Sequence, residues 1–127
     1  MATIELTLDN FEQTIDDNDT VFVDFWAEWC GPCRQFGPVF EAAAEQHADI
    51  VFGKVDADTQ QELAGHFNVR SIPTLVAIRD NVVLFSQPGA LPAHALDDLI
   101  GQIKDIDMED VRRQIADEKA AQTAQAD

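Results

Sequence analysis

The segment VFVDFW, residues 21–26, is apolar at every position but one. A strand wetted on one face alternates apolar and polar residues, whereas a strand covered on both faces does not. The run therefore predicts a central strand clad on both sides, which restricts the chain to layered folds built on a sheet. The next stretch, from Gly31 to about Gln46, sets Phe36, Val39, Phe40 and Ala43 at helical spacing, and Pro38 is expected to kink that helix. IVFGKVDAD (50–58) reads as a second buried strand, and TQQELAGHF (59–67) as a short helix with Leu63 and Phe67 four apart. TLVAI (74–78) and VVLFS (82–86) are two strands joined by the tight RDN connection, and a helix from about Ala93 carries Leu96, Leu99, Ile100 and Ile103. Ahead of all these, TIELT (3–7) alternates as a short strand. An amphipathic segment around Leu8, Phe11 and Ile15 follows, with Asp9 and Asn10 as candidate caps.

The resulting order is β α β α β α β β α. Repeated β-α-β units require parallel strands, and the final hairpin adds an antiparallel pair. The fold class is α/β: a central mixed β-sheet flanked by helices on both faces. A chain of 127 residues fits one such domain, burying roughly two thirds of its extended surface. That domain is assigned to residues 1–104. Residues 105–127, DIDMEDVRRQIADEKAAQTAQAD, set Met108, Val111 and Ile115 at helical spacing behind a capping Asp107, predicting a C-terminal helix. Its last seven residues, AQTAQAD, lack apolar anchors and are expected to fray. A short helix alone in water is marginal, which favours packing on the chain's own surface over docking to a second chain.

Charge narrows the function. There are 24 acids against 8 bases, a net −16, and residues 1–102 hold 17 acids against only Arg34, Lys54, Arg70 and Arg79. Such a surface repels phosphate backbones and anionic lipid, so neither nucleic acid nor membrane is an expected partner. The opening MATIELTLDNFEQTIDDND lacks the basic start and apolar run of a secretory signal, and no stretch nears the roughly 18 apolar residues of a membrane span. The expected location is cytoplasmic. Thiols stay reduced there, which favours a catalytic or metal-binding cysteine pair over a structural disulfide. A bridge closing a four-residue loop would also constrain the unfolded chain little.

The only cysteines, Cys30 and Cys33, stand in WCGPC. Structural zinc wants two close ligand pairs, but His47, His66 and His94 are scattered. Covalent haem needs a histidine where Arg34 stands. The pair falls where a strand ends and a helix begins, so Cys30 is expected at an exposed helix N-terminus, where free backbone N–H groups favour an anion. A thiolate there is the reactive form. Cys33, one turn inside, is expected to be less accessible: Cys30 attacks, and Cys33 resolves. Asp24 interrupts the most apolar strand; a carboxylate there either finds a partner or stays protonated with a raised pKa. It is either a structural polar contact or a functional group.

VDFWAEWCGPC resembles the active-site segment of thioredoxins, and Pro38, FGKVDAD, VRSIPT and Gly89–Ala90 extend the match over residues 3–104. The resemblance implies the thioredoxin fold and a protein-disulfide reductase. It assigns Cys30 and Cys33 to dithiol–disulfide exchange, Asp24 as general base for Cys33, and Lys54 as the ammonium that modulates Asp24. The plainer reading of Lys54 is a lysine snorkelling at a strand end. The resemblance further implies a cis Ile72–Pro73 bond, and an Ile72 backbone free to pair with an extended substrate. Trp29, Gly31, Pro32, Ile72, Pro73, Gly89 and Ala90 would form an apolar collar for target docking, with Trp26 as core filler beneath. Gly31–Pro32 points to a reducing couple. The implied partners are disulfide-containing target proteins and a flavin- and NADPH-dependent reductase acting in trans. The chain has no nucleotide-binding glycine motif, cofactor or metal of its own, and is expected to be a monomer. A redox-independent binding or holdase module on the same fold is the alternative, motivated by the extra helix and the acidity. Phe36–Gly37, a hairpin without glycine, and everything past residue 104 depart from the family pattern.

Overall fold

The computed structural model describes residues 2–125. Its elements are β1 (Ile4–Glu5), α1 (Leu8–Asp17), β2 (Thr20–Trp26), α2 (Gly31–Gln46), β3 (Val51–Asp56), α3 (Gln61–His66), β4 (Thr74–Arg79), β5 (Val82–Pro88), α4 (Ala93–Asp105) and α5 (Met108–Gln125). The sheet order is β1-β3-β2-β4-β5. β1, β3 and β2 run parallel, while β4 is antiparallel to both β2 and β5. This is the expected mixed sheet, with the VFVDFW strand in the middle.

Side chains of a strand point to opposite faces in turn, and β2 uses both. Val21, Val23 and Phe25 pack with Phe11 and Ile15 of α1, Leu63 of α3 and Phe67 just after α3. Phe22 points the other way, into a core with Phe36, Phe40, Leu96, Ile100 and Ile103 from α2 and α4. Phe22, Phe25, Phe36, Phe40 and Phe52 are all fully buried. Gly53 lets β1 approach β3, since a Cβ there would overlap the buried Leu6 side chain.

Several local expectations change. Neither Asp9 nor Asn10 is the N-cap of α1: Thr7 holds that place, and its backbone N–H donates to Asn10 Oδ1 at 2.8 Å. Asn10 therefore acts from the third helical position, as the return half of a capping box. Asp80 and Asn81 adopt φ of 53° and 64°, the left-handed pair of a type I′ turn, a conformation that Asp and Asn tolerate without glycine. α2 runs through Pro38 without ending there, which leaves the expected kink at that residue standing as an expectation.

Asp107 does cap α5, its Oδ1 accepting from the N–H groups of Glu109 and Asp110. The helix extends past the expected fraying point at residue 121, through Gln125; its alanines are strong helix formers, and Thr123 bonds back to Lys119 O. Residues 126–127 of the expected frayed end lie outside the described residues. Only the base of α5 meets the body. Met108 is buried, Val111 and Ile115 are half-buried, and residues 116–123 are exposed. Arg112 bonds Asp80 at 3.1 Å, and Arg79 Nη1 donates to the carbonyls of Ile103, Lys104 and Ile106 at 3.0, 3.1 and 2.9 Å. Ending the chain after Lys104 is expected to lower unfolding free energy by about 1–3 kcal/mol, the scale of burying Met108. A denaturant titration would read this; unchanged stability would show that α5 contributes nothing to the body. Among the described residues, no helix is long and apolar enough to cross a membrane.

Candidate active site

Cys30 is the N-cap residue of α2, with extended backbone (φ −87°, ψ 111°). Gly31 and Pro32 form the first two helical positions, where the missing proline N–H removes no helix bond. Cys33 closes the turn, and its N–H donates to Cys30 Sγ at 3.3 Å. The two sulfurs are joined as a disulfide. A cap sulfur that accepts a helix N–H is held more firmly as an anion, because the hydrogen bond becomes charge-assisted and the helix dipole adds to it. The expected contrast in access is absent in this oxidised state, where each cysteine is 4% exposed. Ala27, Trp26 and Ile72 pack around the bonded pair, and Ile72 O lies 3.7 Å from Cys30 Sγ. What separates the two sulfurs is the cap hydrogen bond rather than exposure.

Asp24 shares the α2 face of β2 with Phe22 and Trp26. It is fully buried, and neither carboxylate oxygen has a hydrogen-bond partner. Burial pushes its pKa up to about 7, against a smaller downward pull from the Lys54 ammonium. Lys54 stands beside it in the parallel register of β2 and β3. The ammonium lies 4.8 Å from the Trp26 ring centroid, a cation–π arrangement. Trp26 packs against the cysteine pair as expected, but it is half-buried rather than core filler, and its ring carries Lys54. A groove of about 620 Å³, lined by Trp26, Cys33, Arg34, Gly37 and Lys54 among others, opens beside Cys33 and gives water a route to this side of the pair.

The collar residues gather from three loops. The Ile72–Pro73 peptide is cis, and Gly89 N–H donates to Pro73 O at 2.8 Å, tying the end of β5 to the cis loop. Gly89 has φ +112°, which suits a residue without a Cβ. Pro73 is buried and Ile72 half-buried, while Gly31, Pro32, Gly89 and Ala90 are exposed and Trp29 is 68% exposed. Two supports escaped the sequence reading. Asp58 Oδ2 accepts the Trp29 indole N–H at 2.8 Å, and Thr74 Oγ1 donates to Ser71 O at 2.6 Å behind the cis bond. A signal for Asp58 was present, as an acid just beyond the β3 run; nothing local marked Thr74.

The thioredoxin family profile matches residues 2–102. A putative thioredoxin 2 of Streptomyces coelicolor is 57% identical over 119 residues, 94% of this chain and 89% of its own length. An alignment of that length includes at least 15 residues beyond residue 104, so the similarity enters α5. Among solved structures, a thioredoxin mutant from Halobacterium salinarum superimposes with TM-score 0.77 at 35% identity, covering 84% of this chain and 95% of its own. A Plasmodium falciparum thioredoxin gives 0.73 at 34%, covering 79% and 97%. With the fold, the bonded CGPC pair and these relatives in agreement, the chain belongs to the thioredoxin family, a protein-disulfide oxidoreductase that works by dithiol–disulfide exchange.

Proposed function

We propose that the chain runs in the reducing direction in the cytoplasm, as a monomer, with each site residue in the role its surroundings suit. Cys30 thiolate attacks one sulfur of a target disulfide; that bond breaks, the far target sulfur leaves as a thiolate, and a mixed disulfide joins Cys30 to the target. Asp24 carboxylate takes the Cys33 proton. Cys33 then attacks Cys30 Sγ, the second target sulfur leaves reduced, and the Cys30–Cys33 disulfide forms. Two electrons pass to the target, and a flavin- and NADPH-dependent reductase returns them in trans.

Lys54 tunes Asp24 by charge. Trp29, Gly31, Pro32, Ile72, Pro73, Gly89 and Ala90 receive an extended target segment, which pairs with the Ile72 backbone and asks little of its side chains. The observation that carries the reading is the Cys33 N–H directed at Cys30 Sγ, which favours charge on the first sulfur. The test is a Cys33→Ser chain immobilised and exposed to oxidised protein extract. It should retain target proteins as mixed disulfides that dithiothreitol elutes. An empty column, together with wild-type failure to reduce insulin, would sink the proposal.

A further inference from the structure

On the sheet face that carries α1 and α3, a groove of about 540 Å³ runs from Leu8 to Asn81. Its apolar side is Leu8, Phe11, Ile15 and Leu63, and Leu8 is 52% exposed although it is a large aliphatic residue. The rim is Glu12, Asp16 and Glu62, with His66 the single ring nitrogen group among them. No Lys or Arg lines the groove, and among the described residues none of these three acids enters an ion pair. α1 has ten residues, so the groove follows about 15 Å of helix.

An apolar floor inside an unneutralised acidic rim selects its ligand by charge. Phosphate-bearing polymers and anionic lipid are repelled. A second copy brings its own −16, and its α5 sets Arg112, Arg113 and Lys119 against Glu109, Asp110, Asp117 and Glu118, so it offers no net positive face. We propose that the α1/α3 groove is a docking site for a cationic amphipathic helix of a partner protein, one with apolar residues about one turn apart and Lys or Arg flanking them. The apolar anchors lie against the exposed Leu8 and half-buried Phe11, over the buried Ile15 and Leu63, and the cations meet Glu12, Asp16 and Glu62. α3 separates this groove from the cysteine pair: Glu62, Leu63 and His66 line the docking side, whereas Gln61, Ala64 and Gly65 line a depression with Trp29 and Ile72. A partner seated there leaves Cys30 open to targets, and the proposal stands independently of the cysteine chemistry.

The probe is a synthetic alanine-based helix bearing two leucines four residues apart and flanking lysines, titrated into isotope-labelled full-length protein and followed by amide NMR shifts. Shifts should cluster on Leu8–Asp16 and Glu62–His66. Glu12→Lys with Glu62→Lys should weaken binding about tenfold. Leu8→Ser, which leaves the charge alone, should weaken it several-fold. Asp98→Lys with Asp105→Lys, the same charge change on α4, should leave it within about twofold. All variants should reduce insulin as the parent does. The inference is overturned if shifts scatter over the acidic surface, if Leu8→Ser binds like the parent, if the α4 change weakens binding as much as the groove change, or if a glutamate-flanked peptide binds equally well.

Discussion

Replacing Asp24 with alanine is expected to raise unfolding free energy by about 2–4 kcal/mol at about pH 8, and to leave stability near pH 4 unchanged or slightly lower. Folded Asp24 holds its proton up to about pH 7, whereas the ordinary carboxylate value is 3.8. Between those limits the native state binds a proton that the unfolded chain has released. Stability therefore falls as pH rises through that window, and levels off once the folded carboxyl has ionised. At about 1.4 kcal/mol per pH unit the full loss is about 4 kcal/mol; the small cavity left by alanine takes back part of the gain. Denaturant melts across the pH range measure both curves. Parallel curves for parent and variant would refute a buried carboxyl titrating near neutrality. Lys54→Gln removes the cation that draws the pKa down, so it should move the inflection to higher pH. On the proposed role of Asp24, the stabler protein is the poorer reductant: turnover with insulin should fall by up to about a hundredfold, since Cys33 loses its base.

Cys30→Ser should abolish disulfide reduction outright, while Cys33→Ser should still attack once and stall. The informative measurement is the alkylation rate of each thiol in the reduced parent. Both cysteines are 4% exposed in the disulfide state, so burial offers no reason for either to be faster. The cap position does: a sulfur at a helix N-terminus that accepts a backbone N–H is favoured as the reactive thiolate, and its neighbour inside the helix has no such support. Iodoacetamide should consume Cys30 about tenfold faster than Cys33 at about pH 7. Equal rates would mean that the helix terminus does not distinguish the sulfurs.

Much of this architecture was written locally. β2 announced itself because a central strand needs apolar residues on both faces, and α2 because Cys30, Gly31 and Pro32 sit where a strand must hand over to a helix. The capping of α1 was misread because Thr7, Asp9 and Asn10 all belong to the capping set; only the geometry of the turn decides which one accepts and which reaches back. Burial of Cys30 escaped the sequence because it comes from Ile72, forty-two residues away, along with Trp26 and Ala27. Trp26 was legible as apolar but not as a platform for Lys54, a contact that crosses between neighbouring strands. The α1/α3 groove was invisible for the same reason: Leu8 and Leu63 each read as ordinary core residues of their own helices.

The Arg79 guanidinium binds three carbonyls at the α4–α5 junction from a strand hydrogen-bonded on both sides, to β2 and to β5. Tension applied through the C-terminal helix therefore does not simply unwind the last turn of α4. The load enters β4, an interior strand one place from the β5 edge and three from the β1 edge, and the sheet's own ladder shares it. A tether or fused cargo on that helix would be mechanically anchored in an interior strand, beside the end of β2 that lies farthest from the cysteines.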